Sequence, residues 1–167
     1  MNKMYEPFII DNLKIKNRIV RSAMFEYSAD NGKISDNIIN LYEKVAEGGS
    51  GLIITGMQAV SDGSGYGPIM VKTTYANYIE DMKKIVTIAH KNDSKVFVQL
   101  QHVGYKTCWK MGYDTFGVSE LKVSKDCFYH EATQEEINKV VNDFSISAKN
   151  VRMLVVMAFK FMQHMDF

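Results

Sequence analysis

The chain has 167 residues, of which 46% are apolar and 23% charged, and its net charge is +1. This composition is typical of a soluble globular domain, and the lack of a basic cluster argues against a nucleic-acid-binding protein. No run approaches the ~20 apolar residues of a membrane helix and no signal peptide opens the chain, so we expect a cytoplasmic protein without a membrane partner.

The first predicted elements are short strands followed by a helix. Residues 8–15 predict two strands joined by an Asp-Asn turn, and residues 17–24 are typical of a third, apolar strand. A helix is predicted next, because apolar residues recur on one face: Ile38, Ile39, Tyr42, Val45 and Ala46. Two glycines end that helix. Residues 51–56 are apolar throughout, as expected of a parallel strand covered on both faces.

The same cycle then repeats along the chain. A glycine-rich loop, residues 62–68, precedes a second helix with one apolar face and a third parallel strand at residues 95–100. After a long irregular loop, Thr133-Gln134-Glu135-Glu136 is a capping box that opens another helix. Its apolar stripe is Ile137, Val140, Val141, Phe144 and Ala148. This alternation predicts right-handed parallel β/α units, in a doubly wound sheet or a (β/α)8 barrel.

Two further signals are weak. No G-x-G-x-x-G motif follows any predicted strand, which removes support for a dinucleotide-binding sheet. The loop at residues 63–67 follows a strand without opening a helix directly, so it is either a phosphate cradle or, the favoured interpretation, a flexible surface loop. Two cysteines, Cys108 and Cys127, are too few for a disulfide framework or a zinc site, and we expect both to be free thiols and no metal to be bound.

Several segments, taken together and in order, resemble the Old Yellow Enzyme family. They are residues 13–20 (LKIKNRIV), 22–24 with Tyr27, 52–56 (LIITG), 98–104 (VQLQHVG), 117–119 and 133–137. The resemblance covers roughly residues 5–149 and implies an FMN-binding (β/α)8 TIM barrel, with the flavin at the carboxyl ends of the strands.

The resemblance also implies which residues meet the flavin. Ser22, Ala23 and Met24 match backbone contacts, Gly56 matches a small residue that lets the ring approach, and Gln99 matches a glutamine on the pyrimidine edge. An isoalloxazine needs backbone amides nearby and a carboxamide that both donates and accepts. The simpler alternatives are that Gln99 satisfies loop backbone and that Met24 is a core residue.

Two further side chains are candidates for contact with the substrate. Tyr27 falls where some relatives place a substrate-contacting tyrosine, and His102 is either functional or a buried histidine bonded to a carbonyl. The chain departs from the family pattern near these positions. Thr55 stands where an acidic residue is common, and Phe25 and Glu26 follow Met24 where relatives carry smaller or different residues. These departures bear on flavin potential and substrate choice.

By resemblance, the intact enzyme would take hydride from NADH or NADPH onto FMN and pass it to a small-molecule acceptor, an activated alkene or similar. Two alternatives remain open. One is a complete α/β enzyme of another class that binds a phosphate ligand through residues 63–67, and the other is a non-catalytic flavin-binding or interaction fragment.

After Lys149 the family pattern stops. The resemblance predicts Gly-x-Asp-Gly and a strand ending in His-x-x-His, whereas residues 150–167 contain four methionines and no glycine. Shifting the codons by one base from Asn150 permits Cys-Lys-Asn-Ala-Gly-Cys-Asp-Gly-Ile-Gln-Ile-His-Ala-Ala-His-Gly. We therefore expect residues 1–149 to be about three β/α units of the barrel and residues 150–167 an out-of-frame tail. Such a chain would be a truncated, inactive fragment whose two open sheet edges favour self-association.

Overall fold

The computed structural model describes residues 2–107, 115–125, 127–154 and 158–163. The chain opens with an antiparallel hairpin of β1 (Phe8–Ile10) and β2 (Leu13–Ile15), in which Phe8 stands opposite Ile15. Asp11 takes a positive φ of 50° in the turn, a conformation that aspartate tolerates better than most residues. The predicted pair of strands about an Asp-Asn turn is therefore confirmed.

Three β/α units follow the hairpin. They are β3 (Val20–Arg21) with α1 (Asp36–Glu47), β4 (Leu52–Ala59) with α2 (Tyr78–Lys91), and β5 (Lys95–His102) with α3 (Gln134–Arg152). The strand predicted over residues 17–24 is shorter than expected, because only two of its residues pair with β4. The strands predicted at 51–56 and 95–100 are confirmed, and each runs further toward its carboxyl end.

The long connection between β5 and α3 contains a small sheet, which the sequence analysis missed. Its strands are β6 (Thr115–Gly117), β7 (Leu121–Ser124) and β8 (Cys127–Glu131), in the spatial order β6-β8-β7. Cys127 is disulfide-bonded, so the expectation of a free thiol there is wrong. The only other cysteine of the chain, Cys108, lies outside the described residues.

A fourth parallel strand, β9 (Ala158–Gln163), pairs along the free edge of β5, with Phe97 opposite Ala158. The sheet order is β3-β4-β5-β9. The expectation that three strands would leave both edges open is therefore wrong at β5. α3 continues without a break past Lys149 to Arg152, so its helical structure marks no junction at that position.

Strand order and helix placement decide between the two predicted architectures. A doubly wound sheet reverses its strand order and carries helices on both faces, whereas here the strands follow one another in sequence order. Buried residues of all three helices share one core on a single face of the sheet, among them Tyr42, Met82 and Val151. Sequential parallel strands with every helix outside form the wall of a (β/α)8 barrel.

The opposite face of the sheet is the one that would line the inside of a barrel. At its amino-terminal end, Leu13 and Ile15 of the hairpin pack on Leu52 and are joined by Ile54 and Phe97. The hairpin therefore closes the end of the sheet that lies opposite the carboxyl ends of the strands.

The apolar stripe predicted for α3 is only half correct. Phe144 and Ala148 pack against the shared core, whereas Ile137 and Val141 are 45% and 61% exposed. The core contacts come from the carboxyl half of the helix, where Ser147 is fully buried.

Candidate functional site

The predicted flavin-binding residues lie just after β3 and in the carboxyl halves of β4 and β5, at the end of the sheet that is here called the sheet edge. Arg21, the last residue of β3, pairs with Ile53, and Gln99 of β5 pairs with Met57 of β4. β3 ends opposite Ile53, so residues 22–24, which follow it, lie beside the part of β4 that contains Gly56. A break in register between Ile54 and Met57 falls at Gly56 itself.

A buried ion pair joins the last residue of β3 to the segment that follows it. Arg21 Nη2 lies 3.8 Å from Glu26 Oε1, and the two side chains are only 9% and 6% exposed. The guanidinium also stacks over the ring of Tyr42, 4.9 Å from its centroid. Removing one member of such a pair leaves a buried charge without its partner, which typically destabilises a protein by about 3–5 kcal/mol.

Tyr42 of α1 completes this network. Its hydroxyl donates to Oε1 of Glu26, and the backbone N–H of Gly56 donates to the same oxygen at 2.8 Å and to the Tyr42 hydroxyl at 3.0 Å. Burial, reinforced by the nearby Glu26 carboxylate, raises the pKa of Tyr42 well above its usual value. The phenol therefore stays protonated and acts as a donor.

The guanidinium of Arg21 also orients the backbone that follows β3. It donates to the carbonyl oxygens of Ile54 at 2.9 Å, Ser22 at 3.3 Å and Met24 at 3.3 Å. In a trans peptide the carbonyl of one residue and the N–H of the next point in opposite directions. The N–H groups of Ala23 and Phe25 consequently point away from Arg21.

Glycine at position 56 leaves room for the Glu26 carboxylate, a role that the sequence analysis did not foresee. A Cβ atom built there would lie 2.1 Å from Oε2 and 2.6 Å from Oε1 of Glu26. Real Cβ atoms are not found at such distances, so a larger residue would displace the Glu26 carboxylate from its hydrogen bonds to Gly56 and Tyr42. The predicted role of Gly56, to let a flavin ring approach, is a separate requirement that this contact does not test.

Gln99 is 1% exposed near the end of β5. Its backbone N–H donates to Thr55 Oγ1 at 3.1 Å, and its Nε2 lies 3.5 Å from Oε1 of Gln101. A hydroxyl, not a carboxylate, suits position 55, because Thr55 both accepts from Gln99 and donates to the carbonyl of Gly56 at 3.0 Å. The carboxylate of this neighbourhood comes from Glu26.

Met24 and Tyr27 lie at the surface, each 63% exposed. The interpretation of Met24 as a core residue is therefore wrong. Tyr27 has a positive φ of 53°, which is uncommon for a residue with a bulky side chain, and its ring packs on Phe25 with centroids 4.1 Å apart. Tyr27 is thus exposed beside the sheet edge, whereas Phe25 is half-buried and packs against the cluster of Ala59, Met70 and Val103.

His102 is largely buried at the end of β5. Its Nδ1 accepts from the backbone N–H of Gly104 at 3.1 Å, and its ring lies beside Phe116, with centroids 5.8 Å apart. Burial lowers the pKa of this imidazole, while Asp143 raises it and Lys139 lowers it. These contacts favour a neutral histidine bonded to the local backbone, although the partner is an N–H and not the expected carbonyl.

The glycine-rich loop at residues 63–67 leads into a short 3-10 helix at Gly67–Ile69, which offers no α-helical N-terminus to a phosphate. A Cβ at Gly65 would lie 2.8 Å from Ala59 and 2.9 Å from Met70, so close packing explains that glycine. Lys72, the cation beside the loop, is 2.6 Å from the Asp62 carboxylate. These features argue against the phosphate-cradle interpretation.

The groups at the sheet edge suit an isoalloxazine ring. The N–H groups of Ala23 and Phe25 are hydrogen-bond donors turned away from Arg21, and the Gln99 carboxamide carries both donor and acceptor atoms. The N–H of Gly56, in contrast, already donates to Glu26 and Tyr42. Any backbone contact to a ring at this edge would therefore come from residues 22–25.

Sequence reasoning missed Arg21, Glu26 and Tyr42. The available signal was a pair of opposite charges in and just after an otherwise apolar strand, at positions 21 and 26.

Within the described part of the chain, no helix is both long and apolar enough to span a membrane.

Comparison with known proteins bears on the family and the fold. The model of the NADH:flavin oxidoreductase / NADH oxidase family matches residues 3–153. Among curated relatives, an NADPH dehydrogenase of Halalkalibacterium halodurans is 28% identical over 88% of this chain and 44% of its own length. An N,N-dimethylglycine/sarcosine dehydrogenase of Chromohalobacter salexigens is 28% identical over 89% of this chain and 22% of its own.

Solved structures show the same fold. Old Yellow Enzyme from Pichia sp. AKU4542 superposes with a TM-score of 0.84 at 21% identity, covering 95% of this chain and 45% of that one. Morphinone reductase in complex with tetrahydroNAD superposes with a TM-score of 0.83 at 16% identity, covering 96% and 49%. The chain thus spans less than half the length of these relatives, and its fold is that of part of a (β/α)8 barrel. By its sequence match over residues 3–153, the chain belongs to the NADH:flavin oxidoreductase / NADH oxidase family.

Proposed function

We propose that this chain supplies the flavin-facing edge of an FMN-dependent oxidoreductase that takes hydride from NADH or NADPH and reduces an activated alkene or a similar small acceptor. Two observations carry the proposal: the backbone N–H groups of Ala23 and Phe25, just after β3, are turned away from Arg21, and Gln99 is buried in the carboxyl half of β5. Barrel enzymes place their active sites at this end of the strands.

Different residues at the sheet edge would contact different parts of the flavin. Ala23 and Phe25 would donate backbone hydrogen bonds, and Arg21 would fix the carbonyl of the residue before each of them, Ser22 and Met24. Gln99 would hold the pyrimidine edge, because a carboxamide can match both donors and acceptors there. When bound, the flavin supplies the hydride-transfer chemistry.

The substrate would approach from the exposed side of this edge. Tyr27 presents its ring there together with Phe25, and we propose that the pair forms an apolar contact for the acceptor. His102 would act indirectly, by fixing the turn at Gly104. The names of the relatives include both an NADPH dehydrogenase and an N,N-dimethylglycine/sarcosine dehydrogenase, so oxidation of a small amine is a second candidate reaction.

Replacement of Gln99 tests the proposal in a protein whose reading frame is restored after Lys149. Gln99→Leu should weaken FMN binding by about 1–3 kcal/mol, since polar groups of the ring would lose their partner. The matched control is Gln58→Leu, because Gln58 is also buried in the sheet but bonds to Tyr78 of α2. Titration followed by FMN fluorescence measures the FMN affinity of both variants. Equal FMN affinity in the wild type and Gln99→Leu would refute the assignment of Gln99.

A further inference from the structure

The segment that follows β3 has no secondary structure to hold it. Residues 22–29 make no strand or helix, yet they carry the backbone N–H groups proposed to face the flavin. A conformation without a hydrogen-bonded ladder must be fixed by side chains or it will fluctuate. Ser35 holds the far part of this segment, through the carbonyl of Ser28, and the buried ion pair holds its first residues.

Each member of the network fixes a different part of the segment. Arg21 binds the carbonyls of Ser22 and Met24 and, through Ile54, anchors them to β4. Glu26 sets the far end of the segment, because its carboxylate is bound to the N–H of Gly56.

Tyr42 ties the same carboxylate to α1. Both charged side chains are more than nine-tenths buried, so neither can exchange its partners freely with water.

We propose that Arg21, Glu26 and Tyr42 form one positioning unit, here called the strand-end clamp, which holds residues 22–25 with the N–H groups of Ala23 and Phe25 facing the flavin. The clamp rests on the proposed function for its target, but its action on the backbone is independent of any ligand. The buried carboxylate of the clamp belongs to Glu26, in the loop after β3. The residue next to Gly56 in β4 is Thr55, which carries a hydroxyl and not a carboxylate.

Two variants can distinguish a positioning role of the clamp from a role in stability alone. Glu26→Gln keeps an acceptor for Gly56 and Tyr42 but leaves the buried guanidinium without its countercharge, so it should be strongly destabilising. The double variant Arg21→Met with Glu26→Gln has no unpaired buried charge and should recover most of that stability. It still lacks the donor that orients the carbonyls of Ser22 and Met24.

Two NMR measurements on the 167-residue chain test whether the clamp positions residues 22–25. The first is the ¹⁵N heteronuclear NOE, which reports picosecond-to-nanosecond motion. In the wild type, residues 22–25 should be as rigid as β4, and in the double variant they should become mobile. The control Tyr78→Phe removes a buried hydrogen bond to Gln58 on the helix face of β4 and should leave residues 22–25 rigid.

The second measurement is a titration with lumiflavin, an isoalloxazine without a phosphate, followed through backbone amide shifts. Wild-type shifts should centre on Ala23 and Phe25, and the double variant should bind about tenfold or more weakly. Rigid residues 22–25 in the double variant, or unchanged lumiflavin affinity, would overturn the clamp. A wild type that shows no lumiflavin shifts, together with mobility in the double variant, supports the clamp and rejects the proposed function instead.

Discussion

The carboxylate of Glu26 lies where a side chain at position 56 would begin, so the identity of Gly56 depends on a residue 30 positions earlier. A sequence pattern alone can indicate that a small residue ends a strand. It cannot indicate which neighbour demands it, because that contact forms only after β3 and β4 have paired. Gln99 and residues 22–24 could be proposed from a resemblance, whereas Arg21 and Glu26 required the fold.

Gly56→Ala should destabilise the chain by about 1–3 kcal/mol, because the new methyl group would overlap the Glu26 carboxylate and displace a buried, paired charge. Urea unfolding followed by circular dichroism measures the change. Gly63→Ala is the matched control: nothing lies within 4 Å of its Cβ position, so it should be neutral or stabilising by up to about 1 kcal/mol. Equal stability of the two variants would contradict the steric argument.

His102 gives the chain a pH-dependent stability whose sign follows from its lowered pKa. Above pH 6.5 the imidazole is neutral in both the folded and unfolded states. As the pH falls below 6.5, the unfolded chain takes up the proton first, so the free energy of unfolding decreases until the pH passes the folded pKa.

His102→Asn should reduce this loss of stability and still offer an acceptor to the N–H of Gly104. The measurement is urea unfolding at pH values on either side of 6.5, with carboxylates still ionised. His90→Gln serves as the reference, because burial, with Lys95 adding to the effect, lowers the pKa of His90 as well. If His102→Asn keeps the full wild-type pH dependence, the buried neutral imidazole is not its source.

At the scale of elements, the start of α3 was predictable and its packing was not. Thr133 and Glu136 form a reciprocal capping box, a local pattern that four consecutive residues fully specify. Which apolar residues of the helix become buried depends on where it crosses the sheet. Phe144 and Ala148 meet the core, whereas Ile137 and Val141 extend beyond it.

Thr133→Ala should destabilise the chain by about 1 kcal/mol, because the N–H of Glu136 would lose its side-chain acceptor at the first turn of α3. Ser145→Ala is the control within the same helix, since its hydroxyl bonds only the preceding turn at Val141 and alanine is the better helix former. Thermal unfolding compares the two. A Thr133→Ala variant as stable as Ser145→Ala would show that the capping box does not contribute.

For the whole molecule, periodicity predicted parallel β/α units but could not choose between a barrel and a doubly wound sheet. Both use the same alternation of strands and helices, and they differ in strand order and in the face on which helices pack. Those properties are long-range and have no local signature. The sequential order β3-β4-β5-β9 and the single helix-bearing face resolve the choice.

We propose that the reading frame changes near Lys149, and that restoring it yields an enzyme. The alternative string places a histidine near position 161, which in β9 stands opposite Leu100 of β5. In the restored frame, the two histidines of His-x-x-His would both donate hydrogen bonds to one substrate oxygen. The 167-residue chain lacks both donors, and each such donor typically contributes ~10²–10³-fold to the rate.

NAD(P)H-dependent reduction of a simple enone, measured side by side, should be substantial in the restored protein and negligible in the 167-residue chain. FMN should also bind the 167-residue chain weakly, because barrels commonly hold phosphate with loops after the last strands. Genomic sequence after codon 149 that encodes no such strand in any frame would end the proposal before an assay.

The ladder between β5 and β9 consists of backbone N–H and carbonyl groups, and such a ladder depends little on which side chains the strand carries. If residues 150–167 are out of frame, as proposed above, a segment with unselected side chains can therefore still complete the sheet. The consequence concerns quality control in the cell: a chain altered after Lys149 would bury the edge that chaperones and growing aggregates recognise. The short β3 edge at Val20–Arg21 would then remain as the more open side for contact with a second copy.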